Sequence, residues 1–141
     1  MLTELIQLSF DKIVQTRSYT MIVLGGQDKR FAIYADPNTG RLMQIYLMGT
    51  ERPRPLTHDL VDMILKGLDV RIKQVVIYDL KDTVYFARLF LEQYTNSDKN
   101  PIRHIIEIDA RPSDCIMLAL MSNVPLYCTR DVLDRTLAVE E

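Results

Sequence analysis

Most links between the strand-like runs of this chain are too short to carry a parallel crossover, which favours an α+β fold over a repeated βαβ one. Such a crossover takes a dozen or more residues. Here the β-rich run Tyr19 to Leu24 is followed by Gly25-Gly26-Gln27-Asp28 and then by Arg30 to Tyr34. The two glycines can supply positive φ angles, so a turn is expected there. With Leu2 to Ile13 ahead of them, these runs predict a small antiparallel meander. A hairpin is expected over residues 70–92. Its first arm places Val70, Ile72, Val76 and Tyr78 on one face, and Leu80-Lys81-Asp82 turns into Thr83 to Leu91. After a polar loop at Asn96 to Pro101, Ile102 to Ile108 reads as another strand, with Ile102, His104, Ile106 and Ile108 on one side.

Helices are expected between and after these strands. The first follows Asp36-Pro37-Asn38 and carries Met43, Ile45, Tyr46, Leu47 and Met48, with Gly40 as a weak point inside it. Arg52-Pro53-Arg54-Pro55 is a stiff link, because each proline disfavours helix at the residue before it. In the second helix Thr57 is the expected N-cap, Asp59 lies in the first turn, and Gly67 marks the end. Leu60, Val61, Ile64, Leu65 and Leu68 recur there at helical spacing. The third, Pro112 to Ser122, is apolar nearly all round from Ile116 to Met121, so it must be buried by its own fold or by a partner chain. Pro125 to Cys128 reads as a short strand. Thr129 caps a last helix with Val132, Leu133 and Leu137 inward. Strands first, then strands mixed with helices, predict one α+β domain over residues 1–141. It would have mixed or antiparallel sheets packed with three to four helices.

The 141 residues are 48% hydrophobic and 26% charged, enough for a core without staples. A net charge of −2 argues against broad charge-driven binding of nucleic acid but leaves room for a local basic patch. Cys115 and Cys128 sit in apolar surroundings without CxxC spacing, and read as buried small hydrophobes. Met1 to Phe10 lacks the pattern of a signal peptide, and no run of about 18 apolar residues exists. The expectation is a cytoplasmic protein with no membrane contact.

The candidate chemistry lies in acids at element ends. A catalytic divalent cation needs two or three carboxylates converging on one point, because Mg²⁺ and Mn²⁺ take oxygen ligands. Asp79, Asp82, Asp109 and Asp114 are the candidate metal ligands. His58 and Asp59 join Asp109 and Asp114 as candidate catalytic residues, His58 because an imidazole titrates near neutrality. Arg54 and Arg111 are candidate phosphate clamps. Each has a plainer alternative: Asp59 and Asp114 complementing helix dipoles, Asp79 and Asp82 shaping a turn, Asp109 capping a helix, Arg111 pairing with an aspartate, His58 an exposed capping neighbour.

Three stretches carry a resemblance to a known family. They are Arg54-Pro55-Leu56-Thr57-His58-Asp59-Leu60, Val76-Ile77-Tyr78-Asp79-Leu80-Lys81-Asp82 with the strand behind it, and Ile108-Asp109-Ala110-Arg111-Pro112-Ser113-Asp114 leading to Val124-Pro125-Leu126-Tyr127. In order and spacing this motif-bearing part, residues 54–133, resembles the bifunctional nuclease domain family. The first fifty residues match less well: where family members open a long Ala/Ile-rich helix with an acidic segment, this chain has Arg41, Gln44 and Tyr46. The resemblance implies an α+β fold, often oligomeric, and nuclease activity on RNA and DNA of the kind attributed to some members. Taken with the aspartates at element ends, the expectation is a nuclease acting on RNA or single-stranded DNA with Mg or Mn. The alternative is a non-catalytic interaction or regulatory domain that works as a homo-oligomer.

Overall fold

Strand β1, Leu5–Gln15, alternates buried and exposed positions at its start, as a strand with one face on the core must. In the computed structural model, which describes residues 3–95 and 102–139, ten further elements follow. They are β2 (Thr20–Gly26), β3 (Lys29–Ala35), α1 (Pro37–Leu47), α2 (Thr57–Gly67), β4 (Val70–Lys81), β5 (Val84–Thr95), β6 (Ile102–Ala110), α3 (Pro112–Ser122), β7 (Leu126–Thr129) and α4 (Arg130–Arg135). The strands form one sheet in the order β3-β2-β1-β7-β4-β5-β6. Neighbours are antiparallel except β4 and β7, which run parallel, so the fold is α+β with a mixed sheet. The sheet curls until Phe31 of β3 stacks on Tyr85 of β5 with ring centroids 5.8 Å apart.

Helix α3 closes the core. Cys115, Ile116, Met117, Leu118 and Ala119 are buried against β4 and β5, so the chain's own sheet covers most of this apolar helix. Apolar side chains of β1, β2, β3, β4, β5 and β7, with Met43 of α1 and Val132 and Leu133 of α4, complete the cluster. Gly40 is the weak point of α1 in propensity but not in packing: a Cβ there would overlap the Thr20 hydroxyl, so only glycine lets α1 lie this close to β2. Asp36 caps α1 by accepting from the Thr39 amide at 2.7 Å.

Several local expectations shift. The β2–β3 turn falls at Gln27-Asp28, with Gln27 at φ 54°, while the two glycines stay in the strand. The β4–β5 turn is Asp82-Thr83, with Asp82 at φ 57°. Bulges between Ile72 and Gln74 and between Ile77 and Asp79 flip the alternation of β4. The core face therefore reads Val70, Ile72, Val75 and Ile77, and Val76 and Tyr78 point the other way. In α2 the cap position is Leu56, and the Asp59 carboxylate reaches back to the Leu56 amide at 2.9 Å. That helix ends at Gly67 as expected, and the chain leaves it through Asp69 at φ 56°. Leu60, Ile64 and Leu68 do not reach the core but stand half exposed. Leu137 lies beyond α4 and is solvent-exposed. The loop expected at residues 96–101 and the side chain of Ile102 lie outside the described residues. Among the described residues, no helix is long and apolar enough to cross a membrane.

Candidate functional site

The helix entrances collect four of the eight expected side chains, His58, Asp59, Arg111 and Asp114. Pro112 opens α3, and Arg111 before it is extended at φ −62° and ψ 140°. This places Arg111 over the first turn, where its Nε donates to Asp114 Oδ2 at 2.8 Å and its Nη2 to Oδ1 at 3.1 Å. His58, one residue into α2, puts Nε2 at 2.9 Å from the same Oδ1. The carboxylate can only accept, so Nε2 carries the proton of that bond. Hydrogen bonding from His58, followed by that from Arg111, holds Asp114 well below the usual carboxylate range in spite of its burial. His58 is only 12% exposed, and its Nδ1 is enclosed without a hydrogen-bond partner among the described residues.

A second ion pair adjoins this one. Arg52 grips Asp59 with Nε to Oδ2 at 2.7 Å and Nη2 to Oδ1 at 2.5 Å. That bidentate contact, helped by the Leu56 amide, lowers Asp59 to about 2. The Arg52 guanidinium also lies 4.3 Å over the ring of Tyr46, which meets His58 edge-on at 6.3 Å between ring centroids. Arg52, Tyr46, His58, Asp59, Asp114 and Arg111 thus make one polar seam where α1, α2 and α3 meet.

Asp109 belongs to a different place. It lies opposite Arg88 across the β5–β6 pairing and accepts from the Tyr78 hydroxyl at 2.7 Å. That bond is the main reason Tyr78 is raised above an ordinary phenol. Asp109 also borders an open cleft of about 560 Å³ between the end of β3 and the start of α3, which Tyr34, Asp36, Phe86 and Arg111 line with it. Arg111 is therefore shared. It holds Asp114 at the seam and faces Asp36 across the cleft, each carboxylate raising its pKa.

The expected metal ligands do not gather. Asp79 receives Arg135 Nη2 at 2.9 Å and the Leu80 amide at 2.8 Å, so it ties β4 to α4. Asp82 occupies the β4–β5 turn, and Arg54 is exposed in the bend before α2. Among the described residues, no group of three or more His, Cys, Asp or Glu side chains is placed to hold a metal ion. The set Asp79, Asp82, Asp109 and Asp114 therefore does not fit a divalent cation, whose oxygen ligands must all lie about 2.0–2.2 Å from one point.

Sequence reasoning missed Arg52, Tyr46, Tyr34, Asp36 and Tyr78. Arg52 lay in a proline-rich link and Asp36 in a helix entry, so both read as local punctuation. Tyr46 and Tyr78 read as members of apolar faces, and Tyr34 as the end of a strand. Only the curl of the sheet and the meeting of the helices turned them toward the expected acids.

The chain resembles known proteins over most of its length. It is 33% identical over 106 residues to an uncharacterised protein of Mycobacterium tuberculosis, matching 75% of this chain and 58% of that protein. It is 26% identical over 80 residues to bifunctional nuclease 1 of Oryza sativa subsp. japonica, covering 57% of this chain and 23% of the plant protein. The chain thus spans little more than half of the mycobacterial relative and under a quarter of the plant one. The family model of the bifunctional nuclease domain matches residues 22–141, and so takes in β2, β3 and α1 upstream of the three quoted motifs. With both the motif-bearing part and most of the divergent first third inside that match, the chain belongs to the bifunctional nuclease domain family.

Proposed function

We propose that this domain hydrolyses phosphodiester bonds of RNA or single-stranded DNA, and that the strand lies in the cleft between β3 and the start of α3. One observation supports this reading above the others: a guanidinium, a carboxylate and an exposed aromatic ring line a single open groove. Arg111 is two-thirds exposed and offers hydrogen-bond donors to a phosphate. Tyr34 is 62% exposed and offers a ring for a base to stack on. Asp109, held by Tyr78, is the candidate group for taking a proton from water. In this reading His58 and Asp114 position Arg111 and do not touch the substrate.

The test is cleavage of labelled single-stranded RNA and DNA by the purified protein, with Mg²⁺, with Mn²⁺ and with EDTA. Arg111→Ala and Asp109→Asn are each expected to slow cleavage tenfold or more, within the range that one positioned acid–base or electrostatic group contributes. Full activity in both variants would remove the cleft assignment. No cleavage under any of the three conditions would remove the hydrolase reading.

A second reading, an interaction domain acting as a homo-oligomer, has its own support. Leu60, Met63 and Ile64 of α2 and Leu68 at its end, with Ile105, Ile106 and Ile108 of β6, stand with a third or more of their surface in solvent. Exposed apolar side chains grouped on one helix and along an edge strand are the kind of surface that a protein partner covers.

A further inference from the structure

The two edges of the sheet are treated differently. At the β3 edge the chain's own tail adds a backbone bond, from the Val139 amide to the Arg30 carbonyl at 2.8 Å. At the β6 edge no backbone partner is present among the described residues. An open edge is a template for another strand, and proteins usually guard it with charges. Strand β6 carries such charges at Arg103 and Glu107, and their spacing is self-complementary. Both lie two residues from Ile105, one on each side, and strand alternation puts all three side chains on the same face.

We propose that β6 pairs antiparallel with β6 of a second copy, about a two-fold axis at Ile105, so that the seven-stranded sheet continues across the dimer. This rests on the self-association reading above and gives it a surface and a register. About that axis Arg103 of each copy stands opposite Glu107 of the other. Ile105 meets Ile105, and Ile106 meets His104. Both charges already have partners on β5: Arg103 contacts Glu92 at 2.6 Å, and Glu107 lies 3.7 Å from Arg88. Pairing would join these into an alternating row, Glu92, Arg103, Glu107 and Arg88, twice across the interface. Most other registers lose this match; only this arrangement covers the half-exposed Ile105, 45% open in the single chain, with its own copy. An interface of this kind is isologous and closes at two subunits.

Sedimentation of the wild-type chain at tens of micromolar, followed by charge reversal and cross-linking, tests the proposal. The wild type is expected to be a dimer. Arg103→Glu alone and Glu107→Arg alone each set like charges opposite one another twice, and each is expected to dimerise at least about tenfold more weakly. Mixing the two variants restores opposite charges at both positions and is expected to give a heterodimer, which a misfolded variant would not. Ile105→Cys is expected to form a disulfide-linked dimer under mild oxidation, since Cys115 and Cys128 are buried and do not compete. A monomeric wild type would overturn both the interface and the self-association reading. A dimeric wild type whose single variants stay dimeric, with no cross-link at position 105, would overturn the interface alone.

Discussion

His58 Nε2 and Asp114 Oδ1 stand 2.9 Å apart and join the first turns of two helices that are 56 residues apart in the chain. The contact fixes α2 against α3 and sets the carboxylate that in turn orients Arg111. It makes the stability of the helix entrances depend far more on one member of the cluster than on another.

Asp114→Ala strips the partner from a nearly buried imidazole and from a guanidinium at once. We expect a loss of about 2 kcal/mol, somewhat below the cost of breaking a fully buried pair because Asp114 keeps 30% of its surface in solvent. Arg111→Ala removes an exposed partner only and should cost under about 1 kcal/mol. Urea unfolding checks the ordering, and equal midpoints for the two variants would contradict it.

The Arg52–Asp59 pair predicts an acid dependence. Asp59 is lowered to about 2 from an ordinary 3.8, chiefly by its hydrogen bond from Arg52. A carboxyl lowered in the folded state stabilises fully above its unfolded value, and that contribution disappears as the pH falls through the folded value. The window therefore runs from about pH 4 down to about pH 2. Solvent screening at this surface leaves about 1 kcal/mol at stake. In Asp59→Asn, the fall in unfolding free energy across that window should be shallower than in the wild type.

Two glycines should respond oppositely to alanine. At Gly40 the new Cβ would overlap Thr20 and crowd Gln15, and separating α1 from β2 should cost about 1–3 kcal/mol. At Gly67 the Cβ would meet nothing within 4 Å, and alanine should be neutral or stabilise the end of α2 by up to about 1 kcal/mol. Melting temperatures of the two variants test this. A destabilised Gly67→Ala would mean that the end of α2 needs glycine after all.

The thiols should be silent in the native protein. Burial pushes Cys115 up to about 12 and Cys128 up to about 11, so neither supplies thiolate at neutral pH. A disulfide-exchange reagent is expected to label neither until denaturant is added, whereupon both react. Prompt labelling of the folded chain would contradict the burial of both.

The elements were legible because they depend on local rules. The short links, the β-branched runs and the proline at the start of α3 predicted an α+β domain. Each strand and helix appears where expected, within a few residues. The errors are also local. The β4 alternation failed because two bulges cannot be read from residue types, and the α2 apolar stripe gave the helix but not what covers it, since Leu60, Ile64 and Leu68 face solvent. A hydrophobic pattern states that a face avoids water; it does not state what covers it.

By itself the sequence determined which residues are acids and bases, that they sit at element ends, and which family the chain resembles. Where those ends go was decided by the tertiary structure. The curl of the sheet brought β3 to α3 and made the cleft with Asp109, Asp36 and Arg111. The packing of α2 on α3 gave His58 and Asp114 to each other, and α4 took Asp79 away. The reason is physical. Apolar burial over the whole chain sets the path of the backbone, and charged side chains pair with whichever partners that path brings within reach, so sequence spacing alone cannot identify them.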